Sequence, residues 1–447
     1  MIAGTPAVTA SKPKALPVEA VCPNALVRWA FYLSLFAIPF SHLYLPGTGG
    51  RVGWVRLAQL LILGGVLSQP QACLRFVPTA LIWFLGYITL RIVWGFWLTP
   101  DQFGSWWATS REFIEFLPWV WVMFNVLQFP DTRRGGLWAL GLGCGLCALC
   151  HVAGIGVAVV HNGLGDRSAA FGMNANEEGA CYATAIIALL GLWMLPSRSW
   201  SQRWLPFPLI ALVGMAMAET GSRTSVLVVG LGVLVLLLFG QALGSRTRRA
   251  ACLLALGAVL AVILWQIPTI MDRFGEINPD NLGHRNPRAR MAPVLWGMFL
   301  KSPLYGLGPD SYEWKLTREA MPYLINQRML IVSHNLILLL LVETGILGFL
   351  VFSIGLVKAL AAAWRARLKA CGPVPLALLL PFVVTGATIS SPIFQSAFWV
   401  AIAYALAAAH EPMQNIQHPV PNSEHSTAAD WRRSLDVGGP MSNVECS

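Results

Sequence analysis

Residues 224–242 read TSVLVVGLGVLVLLLFGQA, nineteen positions without one charged side chain. The run is continuously apolar, with no alternation of apolar and polar positions. A lipid-exposed barrel strand would alternate, so the run reads as a helix, and its length suits a bilayer crossing of roughly 20 residues. In hydrocarbon every backbone polar group must be satisfied within the segment, which a helix does unaided.

The rest of the chain repeats this pattern. Of 447 residues, 56% are hydrophobic and 12% charged, about half the charged share of a soluble domain. Twelve stretches qualify as spans, near 28–46, 53–68, 77–98, 112–129, 137–160, 178–195, 205–219, 224–242, 250–267, 334–354, 374–390 and 392–409. The expected class is an all-α integral membrane protein of about 12 transmembrane helices.

Net charge is +10, but the basic residues sit in short gaps between apolar runs. That placement fits anchoring to an anionic leaflet and argues against a nucleic-acid partner. Alternate gaps hold Arg75, Arg133, Arg134, Arg198, Arg203, Arg246, Arg248, Arg249, Arg365, Arg367 and Lys369, whereas the opposite short gaps hold little beyond Arg51, Arg167 and Arg223. The positive-inside rule then puts both termini in the cytoplasm of a bacterial inner membrane. Residues 1–24 carry four prolines and two lysines with no apolar signal core, so they read as a cytoplasmic segment before an uncleaved first span. Spans one to nine occupy 25–267, a periplasmic loop 268–333, spans ten to twelve 334–410, and a polar, disordered cytoplasmic tail 411–447. A loop as long as 268–333 is usually functional.

Cys147-Ala-Leu-Cys150-His151, with Cys144 one turn earlier, has the form of a haem attachment site. It lies inside a Gly-rich apolar run, where thiols pack between helices, and the packing reading is preferred. No metal site is expected.

Four groups on the outer face carry candidate chemistry. Gly221-Ser222-Arg223 opens a span; Arg223 is an interfacial snorkel or a phosphate ligand. His284-Arg285-Asn286-Pro287-Arg288-Ala289-Arg290 gathers three arginines on the face that normally lacks them. It reads as a solvated loop face or, better, as the partner of a buried anion. It is followed by Trp296 and Pro303-Leu-Tyr-Gly306-Leu-Gly308. Ser333-His334-Asn335 opens the tenth span, with Glu343, Gly345 and Gly348 below; His334 is an interfacial hydrogen bonder or a proton acceptor. Gly345 and Gly348 are expected to admit a neighbouring helix. Arg167 precedes Gly172-Met-Asn174-Ala-Asn176-Glu177-Glu178, where Asn176 either meets substrate or caps the sixth span. Arg91 and Glu115 fall at similar depths and are expected to pair, with Glu343 a structural partner deeper in its own span. Trp94, Trp97, Trp106 and Trp107 form an aromatic belt or a sugar platform.

His334-Asn335, nine residues, Gly345, two residues and Gly348 resembles the signature of the O-antigen ligase and polymerase superfamily. Arg288 followed by Pro303 and Gly306-x-Gly308 resembles the same family's arginine and "PLxGxG". Gly221-Ser222-Arg223 and Gly172-x-Asn-x-Asn176 resemble its other motifs, in the same order. The resemblance covers about 167–350. It implies a GT-C-like membrane glycosyltransferase without cofactor or metal, taking a glycan from undecaprenyl diphosphate at the periplasmic face.

A ligase would pass the undecaprenyl diphosphate-linked O-antigen to a sugar hydroxyl of lipid A–core. A polymerase would pass it to another lipid-linked repeat, and a related oligosaccharyltransferase to a protein Ser or Thr. The compact layout is most like a ligase. The implied catalytic set is His334 as base with Arg223 and Arg288 on the diphosphate; Arg290, Arg167, Asn335 and Asn176 are the implied substrate contacts. A lipid or glycolipid transporter, using Arg91, Glu115 and Glu343 as a charge pathway, is the rival from another class. No internal repeat supports it.

Overall fold

The computed structural model describes residues 22–44, 53–162, 165–195, 199–240, 287–313, 316, 335–369, 371–386 and 395–410. The ninth expected span, most of the long loop including Arg285, the terminal tail and His334 lie outside the described residues.

The described residues form a helical bundle. Its helices are α1 (Ala25–Phe36), α2 (Trp54–Ser68), α3 (Pro70–Cys73), α4 (Thr79–Leu98), α5 (Phe103–Val126), α6 (Pro130–Val152), α7 (Ala175–Met194), α8 (Trp200–Trp204), α9 (Pro206–Glu219), α10 (Arg223–Phe239), α11 (Pro287–Lys301), α12 (Leu336–Ala366), α13 (Val374–Thr385) and α14 (Ser396–His410). Three of them, α4, α6 and α12, are long and apolar enough to cross a membrane, and shorter apolar helices accompany them. The chain is a multi-pass membrane protein.

Most helices lie within the expected stretches, and the departures have local causes. The first stretch stops at Phe36 because Pro39 sits in a 3-10 turn. The fourth begins nine residues early, at Phe103, because Trp106 packs inward against Gly95, where an added Cβ would lie 2.6 Å from the indole. The fifth ends at Val152, well short of its expected end. Gly154 and Gly156 take positive φ, and the chain turns into an antiparallel hairpin of β1 (Val157–Asn162) and β2 (Gly165–Ala170), with Val157 opposite Ala170 and Val160 opposite Arg167. This hairpin is an addition to the expected all-α architecture.

Small residues let the helices close. Of the cysteines in the haem-like motif, Cys144 and Cys147 are buried free thiols, as packing requires, and Cys150 is a half-buried one; Cys181 on α7 is buried as well. A Cβ on Gly143 would lie 2.2 Å from the Phe36 carbonyl oxygen, so α1 and α6 meet there backbone to side.

α12 is two helices merged across a break. Gly345 has φ 65° and ψ −168°, a conformation open essentially to glycine alone. The break frees backbone groups, and the segment 303–308 takes them up. Leu307 N–H donates to Val342 O (2.7 Å) and Gly308 N–H to Glu343 O (3.1 Å), while Ile346 and Leu347 N–H donate to Pro303 O (2.8 Å) and Leu304 O (3.4 Å). A Cβ on Gly345 would lie 2.3 Å from Leu304 O, and one on Gly306 2.5 Å from the Glu343 carbonyl carbon. The close neighbour at Gly345 is therefore this loop and not a second helix.

Candidate active site

The helix ends that meet around the hairpin bring together residues from four elements. Ser222 N-caps α10 in extended conformation, and Gly221 ahead of it turns with φ 60°. Arg167 on β2 reaches across to this turn. Its Nε donates to Thr220 O (3.1 Å) and its Nη2 to Asn176 Oδ1 (2.7 Å). The N-cap of α7 is Asn174, whose side chain accepts from Asn176 N–H (2.9 Å), so Asn176 is free of capping and its amide oxygen serves the arginine. Arg167, Asn176 and the Gly221-Ser222-Arg223 turn thus form one polar knot at the N-terminus of a 17-residue helix. The partial positive charge of a helix N-terminus favours an anion.

A second polar group braces the knot from below. His151, at the end of α6, is buried, with Nδ1 2.8 Å from Glu178 Oε1 and Nε2 2.8 Å from Ser168 Oγ. Glu178 is fully buried; it also accepts from Tyr182 OH (2.7 Å) and from Ala170 N–H (2.8 Å). Ser168 Oγ donates to Glu219 O (3.0 Å), and Glu219 Oε2 lies 3.4 Å from His151. The C-terminal half of β2 is fixed to α6, α7 and α9 this way. The sequence did carry a signal for this pair, since ionisable residues inside apolar runs find partners. It was obscured because His151 closes a haem-like motif and Glu178 sits where helix starts favour acids.

The loop 303–308 leads to a third group. Arg91, wholly buried on α4, is ion-paired with Glu343 and lies 3.0 Å from Asp310. Its Nη2 also donates to Thr109 Oγ1 (2.8 Å), and Asp310 accepts from Ser105 Oγ (3.0 Å). The expected Arg91–Glu115 pair does not form. Glu115 faces the other side of α5, 2.8 Å from Arg111 and 3.9 Å from Arg56. Depth alone could not separate the two acids, because Glu343 reaches Arg91 from 252 residues away. Glu343 is the structural partner the sequence indicated. With Glu115 elsewhere, the three residues of the charge pathway do not line up.

The tryptophans gather as expected, but with divided roles. Trp106 is fully buried and donates from Nε1 to Thr99 O (3.0 Å), which makes it a core residue. Trp97 is exposed and stacks edge-on to Tyr305, at 5.8 Å between centroids.

Arg288 and Arg290 fall in the first turn of α11, whose buried Met291, Leu295, Met298 and Phe299 form one helical face; α11 packs against α12. The side chains of both arginines lie outside the described residues. Asn335 N-caps α12, its side chain accepting from Leu338 N–H (3.1 Å), and Leu336 N–H donates to Gly386 O. The structure joins Arg167 and Asn176 to the turn before Arg223. Asn335 stands at the start of a different helix.

Residues 208–353 match a family model described as O-antigen ligase. The match supports a place for this segment in the O-antigen ligase superfamily. The O-antigen ligase match takes in Arg223, α11, the 303–308 loop and the break at Gly345, whereas Arg167, Asn176 and His151 precede it. The match indicates a membrane enzyme of glycosyltransferase type, of a family that acts on lipid-linked polysaccharide and lipid substrates. No curated protein matches the chain.

Proposed function

We propose that the protein is an O-antigen ligase of the bacterial inner membrane, with its active site on the periplasmic face. It moves a glycan from undecaprenyl diphosphate to a sugar hydroxyl of lipid A–core and needs no metal. The observation that carries this reading is the knot in which Arg167, held by Thr220 O and Asn176, meets the turn before Arg223. Two arginines at a helix N-terminus suit a diphosphate, since guanidinium stays charged and presents a planar fork to phosphate oxygens.

In this mechanism Arg223 and Arg288 stabilise the charge that grows on the leaving diphosphate, with Arg167 and Arg290 as further phosphate contacts. Donors fixed in place before reaction usually supply a large part of catalysis. His334 accepts the proton of the acceptor hydroxyl as its oxygen attacks the anomeric carbon. The C–O bond to diphosphate breaks on the opposite face, and the configuration inverts. Asn335 and Asn176 orient the donor and the arginines.

The test is transfer by purified protein in EDTA, from undecaprenyl diphosphate-linked O-antigen to lipid A–core. Glycosylated lipid A–core is the expected product. Lengthened donor glycan without capture by lipid A–core would move the protein to the polymerase branch, and transfer that requires added metal would remove the metal-free mechanism.

A further inference from the structure

Beyond the arginines, a cavity of about 310 Å3 opens between α2, α5, α7 and the start of α14, within the size range of small-molecule sites. Its charged lining is mostly acidic. Glu112, Glu115 and Glu177 face it, against Arg56 and His42. Arg56 already lies 3.9 Å from Glu115, and His42 3.6 Å from Glu177. Glu112 has no hydrogen bond or contact ion pair with a described residue, so its acceptor oxygens face the opening.

Gln395 is the independent sign of a ligand. It lines the same cavity, is only 7% exposed, and neither its amide oxygen nor its amide nitrogen has a partner among the described residues. A buried amide left so is costly, and native structures avoid it. A bound group that both donates and accepts would complete it, as a sugar hydroxyl does.

The cavity does not end at its polar floor. It shares Arg56, Gln59 and Glu115 with an apolar groove of about 480 Å3 between α2 and α5, lined by Leu60, Leu63, Ile114, Pro118, Trp119 and Val122. These apolar residues lie toward the C-terminal ends of both helices, along the axis on which an acyl chain would run. A polar chamber grading into an apolar groove on membrane helices has the shape of an amphiphile. Charge decides which amphiphile. A diphosphate head would meet three carboxylates here, while the arginines suited to it stand at the other knot. A hydroxyl-rich sugar head finds acceptors in Glu112 and Glu177 and a two-way partner in Gln395.

We infer that this composite site seats the lipid-anchored acceptor, its sugar head in the chamber and an acyl chain in the groove. The name "acceptor" rests on the proposed transferase activity; the glycolipid site does not. All residues that line it precede or follow the family-matched segment. Its position is apt for two-substrate chemistry, because Glu177 in the chamber and Asn176 beside Arg167 are neighbours in the first turn of α7.

The test is cross-linking on the full-length protein in nanodiscs, with a benzophenone amino acid in place of Leu63, which is 48% exposed and so tolerant. Labelled lipid A–core and labelled undecaprenyl diphosphate are the two probes. Lipid A–core should cross-link, and at a subsaturating dose Glu112→Gln and Gln395→Leu should each cut the yield about tenfold, the worth of one hydrogen bond to a charged or buried group. Glu112 is exposed, so the isosteric Glu112→Gln keeps the fold even if Gln395→Leu does not. In transfer assays the same changes should raise the acceptor KM about tenfold without a matching rise for donor. Preferential cross-linking of undecaprenyl diphosphate, or of nanodisc phospholipid alone, overturns the inference. Cross-linking of lipid A–core without any transfer by the wild type would keep the site and remove the transferase reading; transfer without such cross-linking would do the reverse.

Discussion

Replacing Gly345 by alanine should expel the 303–308 loop from its seat. The Gly345 backbone lies where a residue with a Cβ costs about 1–3 kcal/mol. The new methyl would also lie 2.3 Å from Leu304 O, a backbone atom that cannot swing aside. Four hydrogen bonds tie the loop to the break, each contributing roughly 0.5–1.5 kcal/mol net. Alanine favours the alternative, a straight α12 in which Ile346 N–H pairs with Val342 O and leaves the loop without partners. The expected destabilisation is about 3 kcal/mol or more by these values, concentrated locally. Hydrogen exchange on the detergent-solubilised protein should show lost protection at the Leu307 and Gly308 amides. Asp310, carried by the same segment, should leave Arg91, and transfer should fall with it. Unchanged protection at Leu307 and Gly308 in Gly345→Ala would count against this displacement, because a straight α12 turns the Val342 and Glu343 carbonyls onto Ile346 and Leu347 N–H.

Other outcomes rest on the same geometry. Arg91→Ala leaves Glu343 and Asp310 buried without their cation and should cost about 3–5 kcal/mol, read as a lowered thermal midpoint; a midpoint within error of wild type would count against the network. Glu343→Gln keeps an acceptor for Arg91 and should retain transfer, whereas a proton-coupled carrier would lose function. His334→Ala should lower kcat by roughly 10²–10⁴-fold, with the donor still bound. The Glu177 carboxylate beside the ring (3.6 Å) raises the His42 pKa, against the opposing effect of burial. That tether between residues 41–44 and α7 is fully present below the ordinary imidazole value and is lost as pH rises through the raised one. A pH titration of thermal midpoint should therefore show a small decline there that His42→Ala abolishes.

What could be read in advance divides by range of interaction. The apolar runs and the inert cysteines depend on local composition, and the sequence displays them directly. So does the grouping of Gly221-Ser222-Arg223 at a helix start. The Arg91–Glu343 pair, the Arg167–Asn176 bond and the chamber around Gln395 depend on which helices become neighbours, and no spacing along the chain encodes that. The break at Gly345 is intermediate: the glycine was visible, but a loop as its occupant needed the backbone groups of 303–308 to be seen in place. The hairpin at 157–170 was hidden because Val157 to Val160 continue the apolar run of α6, and only the positive φ at Gly154 and Gly156 ends the helix.

In the proposed mechanism the glycan leaves a diphosphate at the arginine knot and is captured by lipid A–core. The decisive measurement counts undecaprenyl diphosphate released per lipid A–core glycosylated, for wild type, Arg223→Gln and Arg167→Gln, each shown to be folded. A one-to-one ratio is expected in the wild type, with both products falling together, and the donor KM rising, in the two variants. Wild-type movement of the lipid-linked glycan without diphosphate release, or full activity in both arginine variants, would contradict that mechanism.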